Sequence, residues 1–111
     1  MNSLAGPKVR DLTPEEVARG LTEDRMLLVD VREPNETALE RYPSCTVIVP
    51  LSIFDPGQIP DPQGRVVVFA CRSGRRSVTA SQVAQAKGFA YDAHLAGGIL
   101  AWKAAGLPTE S

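Results

Sequence analysis

The feature that most constrains this chain is a cysteine placed between a buried strand and a helix. Residues 66–70 (VVVFA) are apolar, Cys71 follows them, and after an arginine-rich loop a helical segment runs to Gly88. A continuous apolar strand that precedes a helix is typical of parallel α/β sheets, which are covered on both faces. Sites in such sheets gather at the carboxyl ends of the strands. The sequence therefore puts Cys71 where we expect a functional site.

The residues that follow Cys71 favour its thiolate form. Loop amides can point inward as an anion-binding nest, and the amino end of the next helix is positive. Arg72, Arg75 and Arg76 add fixed positive charge, and Gly74 permits the tight curvature that brings backbone close to sulfur. A thiolate is the nucleophilic form of cysteine. We predict that Cys71 is a nucleophile; the alternative is an inert cysteine that ends a buried strand.

Length, charge and cysteine content limit the class of protein. The chain has 111 residues and a net charge of −1, which predicts one domain over residues 1–111 and no binding to nucleic acid or a membrane. Positive charge is local to the cysteine loop and suggests a small anion as ligand. The two cysteines fit neither a disulfide framework nor a zinc site, so we expect no metal or other cofactor. The amino terminus shows no signal peptide, and we predict a cytoplasmic protein.

Strand and helix signals alternate along the chain. Thr13, Pro14 and Glu16 predict the capped start of a first helix. The alternation predicts a small α/β domain whose central sheet is mostly parallel and flanked by helices. The remaining expected elements are a strand at 26–31, a short helix at 35–41, a strand at 46–49, a helical turn near 52–54, the central strand at 65–70, a helix at 77–87, a strand at 91–95 and a last helix from 97 to 102.

Three blocks in this order resemble a known family. LLVDVRE at 27–33, VVVFACRSGRRS at 66–77 and AGGILAWKAAGLP at 96–108 are similar to the single-domain rhodaneses, the thiosulfate sulfurtransferases. The similarity covers roughly residues 10–108, the expected core of the domain, and implies a three-layer rhodanese-like fold. It also implies that Cys71 takes a sulfane sulfur from thiosulfate or another donor as a persulfide. The sulfur then passes to cyanide or to a thiol acceptor.

The resemblance implies that the loop after Cys71 binds the substrate anion. Guanidinium and amide groups there would relieve the repulsion between thiolate and thiosulfate and stabilise the departing sulfite. We expect direct contact from Arg72 and Arg76, whereas Arg75 can point to solvent. Ser77 can donate a hydroxyl hydrogen bond, but it is equally plausible as the N-cap of the following helix. The predicted substrate-binding residues are Arg72, Ser73, Gly74, Arg75, Arg76 and Ser77.

Asp30 and Arg32 match the Asp-x-Arg block of the family at the end of the first core strand. A buried carboxylate beside arginines is usually a structural ion pair. We expect this pair to support a loop without entering the chemistry. Glu36 or Glu40, from the next helix, could pair with Arg32.

Two other residues are predicted to be structural. His94, on the last strand, is expected to be a satisfied structural residue outside the site, and Trp102 a core anchor. Cys45 is expected to be a small buried hydrophobe, with a resolving role against Cys71 as the alternative. Residues 40–46 lack the glycines and the histidine that are usual in the family here, which leaves one wall of the pocket undefined.

Three functions are compatible with this pattern. The first is the sulfurtransferase, and the second is a sulfur-carrier or interaction module that docks a partner enzyme and turns over slowly alone. The third, a cysteine phosphatase or arsenate reductase, needs an arginine six positions after the nucleophile. Ser77 occupies that position, so the loop is one residue short. A monomer is expected because the sequence shows no surplus apolar stripe.

Overall fold

Five parallel strands form the central sheet of the molecule. The computed structural model describes residues 7–43 and 46–111. Within these ranges the strand order is β1-β5-β4-β2-β3, and every neighbouring pair is parallel. The strands are β1 (Arg10–Leu12), β2 (Met26–Asp30), β3 (Val47–Ile48), β4 (Val66–Ala70) and β5 (Ala93–Leu95).

Helices connect the parallel strands, as the geometry of a parallel sheet requires. They are α1 (Pro14–Thr22), α2 (Pro34–Thr37) and α3 (Arg76–Ala86); the link between β3 and β4 has short 3₁₀ turns at Leu51–Ile53 and Pro56–Gln58, and α4 (Gly98–Ala104) follows β5. The predicted cap of α1 is confirmed, because the Thr13 hydroxyl and the Glu16 carboxylate each accept the other residue's backbone N–H. None of the helices in the described ranges has both the length and the apolar character needed to cross a bilayer.

Successive residues of the central strands point to opposite faces of the sheet and build two cores. Val29 and Phe69 belong to the core that α3 covers. Leu28 and Val68 belong to the opposite core, which is anchored by Trp102 of α4 and also holds Val17 of α1. The predicted three-layer α/β fold and the structural role of Trp102 are therefore confirmed.

The predicted elements differ from the observed ones mainly at their ends. The sheet is parallel throughout the described residues instead of mostly parallel, and β1 was not predicted. It is a three-residue edge strand whose first two residues, Arg10 and Asp11, are exposed and charged, so it has no apolar run to mark it. The predicted segments are longer than the observed α2, β3 and β5, whereas α2 and α3 each begin one residue earlier than expected and α4 extends to Ala104. Short elements carry too few periodic residues to fix their ends.

Candidate active site

Cys71 lies directly after β4, with its side chain buried to 1% exposure. The backbone of α4 holds this position: the amide of Ile99 donates to the Cys71 carbonyl (2.9 Å) and that of Leu100 to the Arg72 carbonyl (3.2 Å). The approach is so close that a Cβ at Gly98 would collide with the Arg72 carbonyl, and Gly98 has φ +60°. Glycine at this position is therefore what allows α4 to fix the loop.

Hydrogen-bond donors of the loop converge on the sulfur. The amide of Gly74 donates to Cys71 Sγ (3.1 Å), and Gly74 has φ +101°, which turns the chain back toward the sulfur. Burial by itself would raise the pKa of the Cys71 thiol. Hydrogen bonds from the Ser77 side chain and from the amides of Ser77, Gly74 and Ser73 outweigh burial and lower the pKa below its usual value. The loop thus favours the thiolate form of Cys71, and the amides responsible lie in the segment that the sequence predicted as an anion-binding nest.

Ser77 faces the sulfur and does not cap the helix. The helix α3 begins at Arg76, and Arg75 is its N-cap residue, so the N-cap alternative for Ser77 is wrong. The Ser77 hydroxyl lies 3.5 Å from Cys71 Sγ and 2.8 Å from Nδ1 of His94. Nε2 of His94 lies 2.6 Å from a carboxylate oxygen of Asp11. His94 is satisfied, as predicted, but it contacts the site from which the sequence interpretation excluded it.

The three loop arginines have different surroundings. Arg76 makes a bidentate ion pair with Glu36 of α2 (2.6 and 2.8 Å), so its guanidinium is less available to a substrate than we predicted. Arg76 still favours the thiolate form of Cys71, because its positive charge and the negative charge of the thiolate attract each other. Arg72 and Arg75 are exposed, and no carboxylate in the described ranges forms an ion pair with either. These two side chains are the available cations at the mouth of the loop.

Asp30 and Arg32 form the expected buried ion pair, which is bidentate with distances of 2.8 and 3.1 Å. The predicted pairing of Arg32 with Glu36 or Glu40 is wrong. Glu36 is bound to Arg76, and the Glu40 carboxylate is held by Lys103 and Thr109. Arg32 instead donates to the backbone carbonyl of Glu40 (2.9 Å). The pair therefore fixes the chain between α2 and β3.

The atypical segment contributes a tyrosine that the sequence interpretation missed. Tyr42 is almost fully buried, stacks edge-on against Trp102, and donates its hydroxyl to the Cys71 carbonyl (2.6 Å). The Arg32 guanidinium lies 5.3 Å from its ring centroid. Burial raises the pKa of the Tyr42 hydroxyl, which keeps it a donor.

Cys45, with both of its predicted roles, lies outside the described residues.

A depression of about 260 Å³ borders the loop between α2 and α4. It is open to solvent and combines cationic, acidic and apolar side chains, with Glu36 and Glu40 as the two carboxylates. The described residues contain no group of three or more side chains able to hold a metal ion. The lining includes Arg32, Leu39, Arg72, Leu100 and Lys103.

Comparison with known sequences identifies relatives of the chain. The sequence profile of the rhodanese-like domain matches residues 13–105. An uncharacterised protein of Synechocystis is 40% identical over 98 residues, which cover 88% of this chain and 54% of that protein. A sulfurtransferase of Allochromatium vinosum is 36% identical over 102 residues, which cover 90% of this chain and 94% of that protein. The chain thus spans about half of the first relative and nearly all of the second.

Solved structures share the fold. The rhodanese-like domain of an Anabaena protein superposes with a TM-score of 0.77 at 21% identity, covering 91% of this chain and 78% of that one. A Rhodopseudomonas palustris protein described as a possible tyrosine phosphatase has a TM-score of 0.77 at 28% identity, covering 92% of this chain and 85% of that one. The first likeness shows the three-layer fold.

Proposed function

Because this chain belongs to the rhodanese-like domain family, we propose that it is a sulfurtransferase that forms a persulfide on Cys71. We propose thiosulfate as the sulfur donor in vitro, and another sulfane-sulfur compound can take its place. Cyanide or a thiol is the proposed acceptor.

The observation that carries this proposal is the ring of donors around Cys71 Sγ. The amides of Ser73, Gly74 and Ser77 and the Ser77 hydroxyl lower the pKa of the thiol despite its burial. A thiolate attacks without a separate general base. In the proposed reaction it attacks the outer sulfur of thiosulfate, the S–S bond of the donor breaks, and sulfite leaves. The same donors then surround the outer sulfur of the persulfide.

The exposed cations give the loop its proposed substrate selectivity. Arg72 and Arg75 can offset the charge of a small dianion at the mouth of the loop, while Arg76 is held by Glu36. In the second half-reaction the acceptor attacks the outer sulfur, and Cys71 leaves as a thiolate. Stabilising that thiolate therefore assists both halves of the cycle.

The second candidate is a sulfur-carrier or interaction module that receives its sulfur from a partner enzyme. Two exposed leucines on the depression support it: Leu39 of the segment after α2 is 79% exposed and Leu100 of α4 is 46% exposed. Apolar side chains at the rim of a reactive site suit a protein partner. A phosphatase is the third candidate, and Ser77, which contacts the sulfur, stands in place of the arginine that it would need.

The mass of the intact protein after incubation with thiosulfate tests the proposal. We expect a gain of one sulfur atom, its removal by cyanide, and no gain in Cys71→Ser. The matched control is Cys45→Ser, which removes the other cysteine and should gain the sulfur as the wild type does. Retention of the gain in Cys71→Ser would overturn the assignment of the nucleophile.

Parallel incubations separate the alternatives. An unchanged mass under excess thiosulfate, with a gain when a persulfide-bearing protein is the donor, would favour the carrier. Hydrolysis of p-nitrophenyl phosphate that is lost in Cys71→Ser would favour the phosphatase. A cytoplasmic location and a monomeric state remain predictions.

A further inference from the structure

A chain of hydrogen bonds links the buried sulfur to the surface. The Cys71 thiol lies 3.5 Å from Ser77 Oγ, which lies 2.8 Å from His94 Nδ1, and His94 Nε2 lies 2.6 Å from Asp11 Oδ1. The His94 side chain is 5% exposed, whereas that of Asp11 is 75% exposed. This series of hydrogen bonds therefore begins at a buried sulfur and ends at an exposed carboxylate.

The register of the sheet creates this arrangement. In the β1–β5 pairing Asp11 lies directly opposite His94, and His94 in turn neighbours Phe69 of β4. Its neighbours on β5, Ala93 and Leu95, are fully buried and apolar. A buried imidazole is costly unless both of its nitrogens have partners, and an apolar side chain would fill the position without them.

The partners of the imidazole fix where its hydrogen sits. An ionised carboxylate can only accept a hydrogen bond, so the hydrogen sits on Nε2, which donates to Asp11. In the neutral ring Nδ1 then has no hydrogen and accepts from the Ser77 hydroxyl. The oxygen of Ser77 is then free to accept from the Cys71 thiol. The thiol, the hydroxyl and the imidazole thus each donate toward Asp11, where the hydrogen bonds end at an acceptor.

We propose that Ser77, His94 and Asp11 form a proton relay that takes the proton from Cys71 and holds it on the imidazole. The S–H bond of Cys71 breaks as an O–H bond forms on Ser77, and the original hydroxyl hydrogen of Ser77 moves to Nδ1 of His94. The products are a thiolate, a neutral serine and an imidazolium beside the Asp11 carboxylate. No charge is gained or lost, and Ser77 now donates to the thiolate. His94 acts through Ser77 and is a positioning residue.

The groups around the relay are accounted for on every element that packs against it. β1 supplies Asp11, β4 supplies the apolar Phe69, and the loop supplies Cys71 and Gly74, where an added Cβ would lie 3.8 Å from Cε1 of the ring. The helix α3 supplies the Ser77 hydroxyl and the guanidinium of Arg76. The charge of Arg76 is balanced by Glu36. Asp11 is thus the negative group in contact with the imidazole among the described residues.

The reactivity of Cys71 toward iodoacetamide across a range of pH tests the relay. This reagent is neutral, so the loop arginines do not attract it. Trypsin cleaves after Arg65 and Arg72 and releases Cys71 in peptide 66–72, whereas Cys45 is in peptide 42–65, so alkylation of the two cysteines is measured separately. For Asp11→Asn we expect the profile to move to higher pH, with alkylation at neutral pH slower by about 3- to 10-fold. The amide oxygen of the asparagine can still accept from Nε2, but the negative charge of the carboxylate is gone.

Two further variants complete the experiment. Asp92→Asn is the matched control, because Asp92 is a half-exposed aspartate beside β5 that pairs with Arg10 and does not touch the relay. We expect its profile to equal that of the wild type. His94→Gln should move the profile at least as far as Asp11→Asn. Identical profiles for Asp11→Asn and Asp92→Asn, or a folded His94→Gln with a wild-type profile, would overturn the relay and leave His94 a merely structural residue.

The inference rests on the proposed role of Cys71 as the reacting group, but its test needs no sulfur donor. If the profiles do not move while the wild type still gains sulfur from thiosulfate, the relay fails and the proposed function stands. If they move while no donor loads Cys71, the relay stands and the proposed function fails.

Discussion

At the scale of single residues, the surroundings of Cys71 are built from groups that the chain brings together from separate segments. The loop amides come from residues next to the cysteine, and these were predictable. The Tyr42 hydroxyl and the His94 imidazole come from segments that are distant in sequence. The pKa of the thiol is the balance between burial, which raises it, and the hydrogen bonds from the loop amides and the Ser77 hydroxyl, which lower it. That balance has a consequence for stability.

We predict that the free energy of unfolding contains a pH-dependent contribution from Cys71. Burial opposes ionisation, but the hydrogen bonds hold the folded pKa below the usual value of 9.0, so the native state binds fewer protons than the unfolded chain. The contribution is fully present above the unfolded pKa and is lost as pH falls through the folded pKa. Urea unfolding of the wild type should therefore become more costly with rising pH over that interval, up to about pH 9.

The matched comparison uses the two single-cysteine variants. Cys71→Ser should lack this rise, whereas Cys45→Ser should keep it. Equal pH slopes for wild type and Cys71→Ser would contradict the stabilisation of a thiolate by the fold.

At the scale of secondary-structure elements, the amino end of α4 acts as the support of the cysteine loop. Its amides bind the carbonyls of Cys71 and Arg72, and Gly98 permits their close approach. On the other side, Arg76 of α3 binds Glu36 of α2. The ion pair holds the pKa of Glu36 at about 2, mainly through the hydrogen bond from Arg76, so the link between the helices persists in mild acid. The loop is thus held between helices on both sides.

We predict that Gly98→Ala disrupts this support. Gly98 and Gly106 both have positive φ, but a Cβ at Gly98 would strike the Arg72 carbonyl while one at Gly106 meets nothing within 4 Å. Gly106→Ala should therefore cost only the backbone strain of about 1–2 kcal/mol. Gly98→Ala should cost clearly more in urea unfolding and should also slow sulfur loading of Cys71. Equal losses in the two variants would show that the close approach of α4 does not matter.

At the scale of the whole molecule, one sheet joins two apolar cores. Neighbouring residues of β2 and β4 alternate between the cores, so neither core can lose its packing while the other keeps an intact sheet. The buried pair of Asp30 and Arg32 ties the carboxyl end of β2 to the segment that carries Tyr42. The architecture therefore predicts a single cooperative unit.

We predict that unfolding is two-state. Trp102 is the sole tryptophan and lies in the core opposite α3, so its fluorescence reports one face of the sheet, while circular dichroism reports all helices. The two probes should give the same urea midpoint. As a matched pair, Val68→Ala and Phe69→Leu, which trim opposite cores, should each shift both probes together. Separate midpoints would mean that the two faces unfold independently.

Much of the fold was predictable because it depends on local patterns. The apolar runs of β2 and β4, the capping box at Thr13 and the glycine-rich start of α4 each determine an element within a few residues. β1 escaped prediction, since a charged edge strand is identified only by the partner with which it pairs. The ends of α2 and β5 depend likewise on contacts made after folding.

The sequence by itself determined the nucleophile and its loop, because Cys71, its amide donors and its arginines are contiguous, and chain order alone places them together. Tertiary structure decided which charges remain free and which distant groups contact the residues of the loop. Glu36 binds Arg76 and not Arg32, and His94 meets Ser77 and Asp11 across the sheet. Such contacts join residues 17 to 83 positions apart. They exist only because parallel strands and helices fold these segments onto one edge, where distance in space no longer follows distance along the chain.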